Sequence, residues 1–409
     1  MPAPTRRPAA SPEASLDVAR VHAALAEAHD RLAAHDGAVL RDQVALTEIA
    51  APTGDEARRG AWVARRFAAL GLDETRVDDA GNVVGRRAGA DSDAAPIAVC
   101  AHLDTVFPAD TPLAVRREGG RLVGPGIGDN GRGLAAMLAL AAAVDGARLR
   151  TRRPIEFVAT VGEEGCGDLR GAKHYFAAAD RRPAAALVID GPGDERIVHR
   201  ALGARRFRVV ARGPGGHSWA AFGVANAVHA VAGLAARLAA MVLPTEPRTT
   251  LSVGRIGGGI SVNAIPDEAW LEVDLRSTAP AMLDRYEREL HAAAAASIAE
   301  ENARRARGTP PLTYTVTTIG DRPCGELPAD EPLVAAAAAA TRLVGRTPEL
   351  STASTDANVP IGLGVPAVAI GAGGRGGNAH TTHEWFDNAD GPVGLARALT
   401  ILVAAAGLV

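Results

Sequence analysis

Short apolar runs of strand length alternate with longer segments of helical spacing over much of this chain. The strand candidates are Ile97–Ala101, Ile155–Val161 and Ala186–Asp190, and helical spacing is found in Gly131–Val144 and Asp168–Ala178. Strands that are separated by helices must return across the sheet, which favours parallel pairing with helices on both faces. The pattern therefore predicts an α/β fold with a mixed, mostly parallel sheet covered by helices on both faces.

This alternation stops after Asp190. The interrupting segment contains, in order, a strand, a helix, two strands, a helix and a strand: Phe207–Ala211, Ala221–Met241, Leu251–Ile256, Trp270–Ser277, Met282–Arg305 and Thr313–Thr318. That order is typical of a small α+β domain inserted into a larger one. We therefore predict a main domain in two parts, residues 1–202 and 319–409, with an inserted α+β domain at 203–318.

Composition limits the classes of partner and of compartment. A chain of 409 residues exceeds one ordinary core, and its net charge of −3 and 3% aromatic content argue against nucleic acid as a partner. No run of about 20 apolar residues suits a bilayer, and Met1–Glu13 lacks the apolar segment of a signal peptide. Cys100, Cys166 and Cys324 are too few for a four-cysteine zinc site and too widely spaced for a disulfide framework. We expect a cytoplasmic protein with no membrane partner.

Acidic and histidine side chains recur at predicted strand ends and in loops near them. The clusters are His102 with Asp104, Asp129 in Gly128–Asn130, Glu163 with Glu164, Asp190, and His380 with His383. Each one alone also fits an ordinary role, such as a polar pair at a strand end, a structural turn or a solvated loop. Open α/β sheets bind ligands at the carboxyl ends of their strands. Together, Asp, Glu and His without Cys form a ligand set for zinc, manganese or cobalt, and the acidic excess suits two ions.

The glycine-rich segment Gly124–Gly128 permits another interpretation. Free backbone amides at the start of a helix bind phosphate, so such a loop also occurs in dinucleotide-binding oxidoreductases. Asp129 argues against this interpretation, because its carboxylate would lie where the pyrophosphate should bind.

Five motifs, taken in order, resemble those of the dinuclear-zinc exopeptidases and amidohydrolases, a family that includes carboxypeptidase G, aminoacylase, peptidase T and succinyl-diaminopimelate desuccinylase. The motifs are His102-x-Asp104, Gly128-Asp129-Asn130, Glu163-Glu164-Gly165, Asp190 and His380-x-x-x-Glu384. The resemblance covers nearly the whole chain after about Leu46. It implies two divalent metal ions per chain, zinc in the first place and cobalt or manganese as alternatives.

The resemblance also implies a role for each matched residue. The expected ligands are His102 and Asp190 for one ion, Glu164 and His380 for the other, and Asp129 between them. Asp104 is expected to orient the metal-bound histidine, and Glu163 to act as the general base. His383 is a rival ligand, but His380 is preferred because it precedes Glu384 by four residues. A cis peptide is expected at Asp129–Asn130.

The inserted segment resembles the family's dimerisation domain, which implies a homodimer. His217 matches a histidine that reaches the neighbouring subunit's active site, and Asn263 and Arg276 match positions that bind the substrate's carboxylate. Asp356 lies in a segment, Ser354–Asn358, that resembles a substrate-side loop. Other roles stay open: a turn cap for His217, an edge-strand charge for Arg276 and a capped turn around Asp356.

The activity that the resemblance implies is hydrolysis of an amide bond in a small peptide or N-acyl amino acid, through a metal-bridging water that Glu163 activates. N-carbamoyl amino acids fit the same chemistry. The alternative is a catalytically silent relative that binds metal or peptide. A silent relative is expected to have lost the base or a ligand, and this chain keeps Glu163 and every expected ligand.

Overall fold

The computed structural model describes residues 17–178 and 182–409, so the segment Met1–Glu13 lies outside the described residues. The described residues divide into two compact units: the first contains those up to His199 and from Leu327 onward, and the second is Arg200–Glu326. The inserted domain was predicted to end at residue 318. The second unit extends to Glu326, because its last long strand continues as far as Arg322.

The bounds of the elements follow in chain order. The described helices are α1 (Val18–Ala24), α2 (Ala26–Ala34), α3 (Asp36–Thr47), α4 (Ala57–Ala69), α5 (Gly131–Gly146), α6 (Arg170–Ala177), α7 (Ala227–Ala239), α8 (Pro280–Arg304), α9 (Pro332–Leu343), α10 (Asn358–Gly362) and α11 (Gly391–Ala406). The described strands are β1 (Asp73–Val77), β2 (Val83–Arg87), β3 (Ile97–His102), β4 (Arg116–Glu118), β5 (Arg121–Val123), β6 (Ile155–Thr160), β7 (Ala185–Ile189), β8 (Arg196–Ala201), β9 (Gly203–Arg212), β10 (Gly216–His217), β11 (Thr249–Gly258), β12 (Ala264–Ile265), β13 (Glu268–Ser277), β14 (Thr313–Arg322), β15 (Gly325–Glu326), β16 (Glu349–Ala353), β17 (Ala367–Ile370), β18 (Arg375–Gly377) and β19 (Trp385–Asp387). In the part of the chain that is described, no helix has the length and apolar character needed to cross a membrane.

The first unit is built on a mixed sheet in which neighbouring strands run in the order β1-β2-β6-β3-β7-β17-β8. Its four central strands, β6, β3, β7 and β17, are parallel, and β2 and β8 join them antiparallel. Strand β3 is buried at every position, which shows that both faces of the sheet are covered. The predicted α/β fold with a mixed, mostly parallel sheet is confirmed.

Helix α5 starts at the edge of this sheet. The side-chain oxygen of Asn130 caps the helix by accepting a hydrogen bond from the Gly133 amide at 3.1 Å. The side-chain amide of Asn130 also donates to the carbonyl of Ile189 at 2.9 Å, which ties the helix start to the end of β7. The helix that follows is rich in Ala and Leu and almost entirely buried. The backbone just before α5 is therefore held against the sheet.

The second unit has a four-stranded antiparallel sheet in the order β11-β13-β9-β14. Alternate residues of β13 are buried, and they form one apolar cluster with residues of α7 and α8, so these helices cover one face. Helix α7 begins at Ala227 and not at Ala221 as predicted. The reason is local: the side chain of Asn226 accepts hydrogen bonds from the amides of Val228 and His229 and so caps the helix there.

Candidate active site

Three neighbouring parallel strands carry polar side chains to one edge of the main sheet. His102 is the last residue of β3, Glu163 and Glu164 follow β6, and Asp190 comes directly after β7. Because β6, β3 and β7 are adjacent and parallel, their carboxyl ends lie at the same edge. Asp129 reaches this edge from the loop before α5.

The carboxylate of Asp129 lies between two histidines. Its Oδ1 atom is 3.0 Å from His102 Nε2, and its Oδ2 atom is 3.2 Å from His380 Nε2. Asp190 Oδ1 lies 3.9 Å from His102 Nε2, and Glu164 Oε1 lies 2.9 Å from His380 Nε2. The five expected ligands thus form two groups that share Asp129, and within each group the potential ligand atoms lie within 4.8 Å of one another.

Burial and hydrogen bonding act in opposite directions on these groups. Burial raises the pKa of Asp129, but hydrogen bonds from His102 and His380 outweigh it and hold that pKa well below its usual range. Burial raises the pKa of Glu164. The hydrogen bond to Asp129 raises the pKa of His380 to about 9. Clustered buried carboxylates require nearby positive charge, and a divalent cation supplies it most directly.

Asp104 is completely buried beside His102. The Nδ1 atom of His102 lies 3.0 Å from the carbonyl oxygen of Asp104 and 3.6 Å from its Oδ1 atom. The Asp104 carboxylate also accepts hydrogen bonds from the amides of Glu163 and Glu164, both at 2.9 Å, and from the Thr53 hydroxyl at 2.8 Å. Although burial raises the pKa of Asp104, the nearby His102 ring and the hydrogen bonds from the two amides bring it to about 2. Asp104 therefore links the histidine to the loop that carries both glutamates.

The two adjacent glutamates have different neighbours. Glu164 contacts His380, whereas a carboxylate oxygen of Glu163 lies within 4.8 Å of potential ligand atoms of His102 and Glu164. Glu163 is 6% exposed and Glu164 is 8% exposed. Glu163 therefore occupies a buried position beside the ligand groups, from which a carboxylate can act on a bound molecule.

His380 and His383 lie in the turn between β18 and β19. The ring of His380 reaches Asp129 and Glu164, but His383 is exposed and belongs to no group of potential metal ligands among residues 17–178 and 182–409. The geometry therefore favours His380 over its rival.

Glu384 holds the loop that carries Asp129. Its carboxylate accepts hydrogen bonds from the amides of Gly126 at 2.9 Å and of Gly128 and Asp129 at 2.8 Å. Burial raises the pKa of Glu384 to about 7, while these three bonds oppose the rise. The peptide between Asp129 and Asn130 is cis, as predicted. Because the amides of the glycine loop are bonded to Glu384, they are not available to a phosphate, and the dinucleotide interpretation loses its binding groups.

Asp356 is buried beside the end of β6. The residue is 1% exposed, and its Oδ2 atom accepts a hydrogen bond of 2.5 Å from the Thr160 hydroxyl. Burial raises the pKa of Asp356 to about 6. In this structure the loop folds the carboxylate inward against the end of β6, and the substrate contact of Asp356 stays a prediction.

The other three predicted residues lie in the second unit. His217 is exposed, and its Nδ1 atom accepts hydrogen bonds from the amides of Trp219 at 3.2 Å and Ala220 at 3.4 Å. The carbonyl of Asn263 accepts a hydrogen bond from the Ser218 amide at 2.9 Å, which brings the His217 and Asn263 segments together. Arg276 lies apart from them on β13, and its Nε atom is 2.6 Å from Asp274 Oδ2.

A cavity of about 360 Å³, here called the site cavity, lies beside the ligand groups. Its lining includes Asp129, Asp190, Glu384, Ser354 and Arg196. The sequence patterns gave no sign of Arg196, nor of Thr53 as a partner of Asp104. They marked Glu384 only by its distance from His380. The signal for Glu384 was therefore present, but its role depends on the fold.

Comparison with known proteins gives the family. The model of Peptidase family M20/M25/M40 matches residues 98–404. The chain is 27% identical over 241 residues to succinyl-diaminopimelate desuccinylase 2 of Shewanella loihica, a match that covers 55% of this chain and 64% of that protein. It is 29% identical over 270 residues to a probable carboxypeptidase of Aspergillus clavatus, covering 60% of this chain and 58% of that protein. The matches thus span less than two thirds of each of these relatives.

Solved structures show the same fold. A tripeptidase of Staphylococcus aureus has a TM-score of 0.72 at 24% identity, with 90% of this chain and 98% of that chain covered. The aminopeptidase PepT of Bacillus cereus has a TM-score of 0.69 at 24% identity, with 90% and 97% covered. Since the family model spans most of the chain, the protein belongs to peptidase family M20/M25/M40, and the resemblance inferred from its five motifs is confirmed.

Proposed function

We propose that this protein is a dinuclear metallohydrolase that cleaves an amide bond next to a free carboxylate in a small peptide or N-acyl amino acid. The observation that carries the proposal is the position of Asp129, with one carboxylate oxygen 3.0 Å from His102 and the other 3.2 Å from His380. A carboxylate shared by two groups of nitrogen and oxygen ligands is typical of a two-metal hydrolytic site.

The available donors fit zinc, with cobalt or manganese as alternatives. His102 and Asp190 would hold one ion, Glu164 and His380 the other, and Asp129 would belong to both. Each group offers imidazole nitrogen and carboxylate oxygen, which all three metals accept. When bound, the two ions would polarise the amide carbonyl and lower the pKa of water.

Glu163 is the proposed general base. Its carboxylate takes a proton from the attacking water as the water oxygen bonds to the amide carbon. It then gives that proton to the amine nitrogen as the carbon–nitrogen bond breaks. The products are a carboxylic acid and an amine, so the atoms of one water are fully accounted for. The hydrogen bonds from the Glu163 and Glu164 amides to Asp104 hold the base and its neighbouring ligand in a fixed relation.

The second unit is proposed to form a homodimer and to bind the substrate's carboxylate. It exposes large apolar side chains near His217 and Asn263, with Trp219 at 88% and Val262 at 103% relative exposure. Exposed apolar surface of this kind is typical of an interaction site. In a dimer, His217 would donate to the oxyanion of the partner's site, and Asn263 and Arg276 would bind the carboxylate. The relatives' names include a tripeptidase, a probable carboxypeptidase and a desuccinylase, which supports small peptides or N-acyl amino acids as substrates.

Metal depletion and reconstitution test this proposal. Metal-free protein should lose activity, and zinc, cobalt or manganese should restore it at about two ions per chain by elemental analysis. Activity is measured on di- and tripeptides, N-acyl amino acids and N-carbamoyl amino acids. Full turnover without metal would contradict the mechanism. Binding of two ions without hydrolysis of any class would instead indicate the catalytically silent relative.

A further inference from the structure

The site cavity has one basic side chain in its described lining, and that side chain is Arg196. The acidic residues of the lining are Asp129 and Asp190, which are proposed metal ligands, and Glu384, which is bonded to backbone amides. Each carboxylate of the lining thus already has a role, either as a proposed metal ligand or as an acceptor of backbone hydrogen bonds. Arg196 is the charged group in this lining without such a role.

Arg196 is fixed at the edge of the site by its backbone and by its side chain. It is the first residue of β8, and its carbonyl accepts a hydrogen bond of 2.8 Å from Nη2 of the buried Arg397. Its own Nη2 atom donates to the carbonyl oxygen of Asp190 at 3.1 Å, which holds the guanidinium next to a proposed ligand. A backbone carbonyl neutralises none of its charge.

Within the described residues, most of the N–H donors of this guanidinium have no hydrogen-bond acceptor. Arginine carries five N–H donors, and the contact with Asp190 uses one of them. No carboxylate among residues 17–178 and 182–409 forms an ion pair with Arg196 by a nitrogen–oxygen distance within 4.0 Å. By contrast, Arg346 pairs with both Asp194 and Asp390 at 2.7 Å. A half-buried guanidinium that lines a cavity and has no carboxylate partner is suited to bind the carboxylate of a ligand in bidentate geometry.

There is also space beyond Arg196. A second cavity of about 590 Å³ shares Pro192, Arg196 and Gly376 with the site cavity, so the guanidinium stands at the boundary of the two. A substrate group longer than the reacting amide can extend past it.

We propose that Arg196 binds a second carboxylate of the substrate, and that the preferred substrates are amides with two acidic groups. This inference rests on the proposed function and narrows it to diacidic peptides or diacidic N-acyl amino acids. Arg276 is assigned to the carboxylate next to the scissile amide, and Arg196 to the other one.

Matched substrates test the assignment in the metal-reconstituted enzyme. Glycyl-glutamate is compared with glycyl-glutamine. N-succinyl-alanine is compared with the analogue in which the succinyl carboxylate is replaced by an amide. The members of each pair therefore differ by one negative charge. The variants are Arg196→Gln and Arg196→Lys. Arg117→Gln is the control, because Arg117 is exposed on β4 and lines neither cavity.

Wild-type enzyme should prefer the diacid by about tenfold or more in at least one pair. Arg196→Gln should lower kcat/KM for that diacid about 10- to 100-fold, mainly through KM, as expected on losing a hydrogen bond to a charged group. It should leave the neutral partner within about twofold, and Arg196→Lys should retain part of the preference. Equal losses on both members of a pair would mean that Arg196 only positions Asp190, and no preference in wild type would likewise overturn the inference.

A binding measurement separates this inference from the proposed function. Calorimetry compares glutarate with its monoamide on metal-loaded protein, which requires no turnover. Tighter binding of glutarate that Arg196→Gln removes supports the subsite even if every amide tested is left intact. Equal binding of the two ligands, or an unchanged difference in Arg196→Gln, contradicts the subsite even in an active hydrolase.

Discussion

At the scale of single residues, the adjacent glutamates should respond differently to loss of charge. Glu163→Gln should keep both metals and lower kcat by at least about 10²–10⁴-fold, because a positioned base contributes on that order. Glu164→Gln should mainly weaken one metal, since Glu164 lies 2.9 Å from His380. Steady-state kinetics with elemental analysis of each variant decides the matter. Near-normal turnover in fully metallated Glu163→Gln would show that another group is the base.

Glu384 offers a second test at this scale. In Glu384→Gln one acceptor oxygen becomes an NH₂ group, so at least one of the amides of Gly126, Gly128 and Asp129 loses its partner. A buried amide without a partner costs about 1–3 kcal/mol in unfolding free energy, and the displaced loop should weaken metal binding through Asp129. Denaturant unfolding and metal titration measure the two effects. Glu118→Gln, at an exposed ion pair on β4, is the matched control and should change neither. Wild-type stability and metal affinity in Glu384→Gln would show that Glu384 does not hold the loop that carries Asp129.

At the scale of elements, the close approach of α11 to the loop that follows β17 should be sensitive to a single methyl group. A Cβ atom on Gly394 would lie 2.2 Å from the Cα of Gly373, backbone against backbone. Gly394→Ala must therefore displace the helix or the loop, and we expect a loss of about 1–3 kcal/mol in the free energy of unfolding. In Gly37→Ala the nearest atom is the end of the Arg41 side chain at 3.7 Å, so this control should be neutral or stabilising. Equal stability of the two variants would contradict the packing argument.

The elements also show which features of the secondary structure a local sequence pattern predicts. Apolar runs predicted β3, β6 and β7 as strands of a mostly parallel sheet, because a strand that is buried on both faces has a nearly continuous apolar sequence. Boundaries depended on side chains that the pattern ignores. The cap by Asn226 moved the start of α7, and the continuation of β14 to Arg322 lengthened the inserted unit.

At the scale of the whole molecule, the proposed dimer makes a prediction about mixed subunits. Glu163→Gln and His217→Ala homodimers should each be nearly inactive, since loss of an oxyanion donor typically costs about 10²–10³-fold. In a mixed dimer, one site carries both defects, while the other has an intact Glu163 and receives an intact His217. Random exchange makes about half of the dimers mixed, so about a quarter of wild-type activity should return.

The controls for this experiment are each variant exchanged with itself, which should recover nothing. Exchange itself is verified with differently tagged subunits. No recovery after verified exchange would place His217 in its own subunit's site or outside catalysis. The hydrogen bonds from the Trp219 and Ala220 amides to its ring would then define it as a turn cap.

By itself, the sequence determined the fold class, the family and the edge of the sheet where the candidate site lies. These follow from local periodicity and from short motifs, in which the informative residues are neighbours along the chain. His102 and Asp190 were expected at strand ends, and their side chains meet there because parallel neighbouring strands end at one edge.

Only the tertiary structure decided which distant groups contact one another. Glu384 is 255 positions from Asp129, and no periodicity relates them, yet the Asp129 amide donates to its carboxylate. The same holds for the inward position of Asp356 and for Arg196 beside Asp190, since a loop carboxylate or a strand arginine has many equally acceptable partners along the sequence. The physical reason is that a given donor or charged side chain can pair with many acceptors or opposite charges, so the sequence alone does not identify its partner. Packing of the sheet, helices and loops selects one arrangement, and burial then makes that arrangement costly to change.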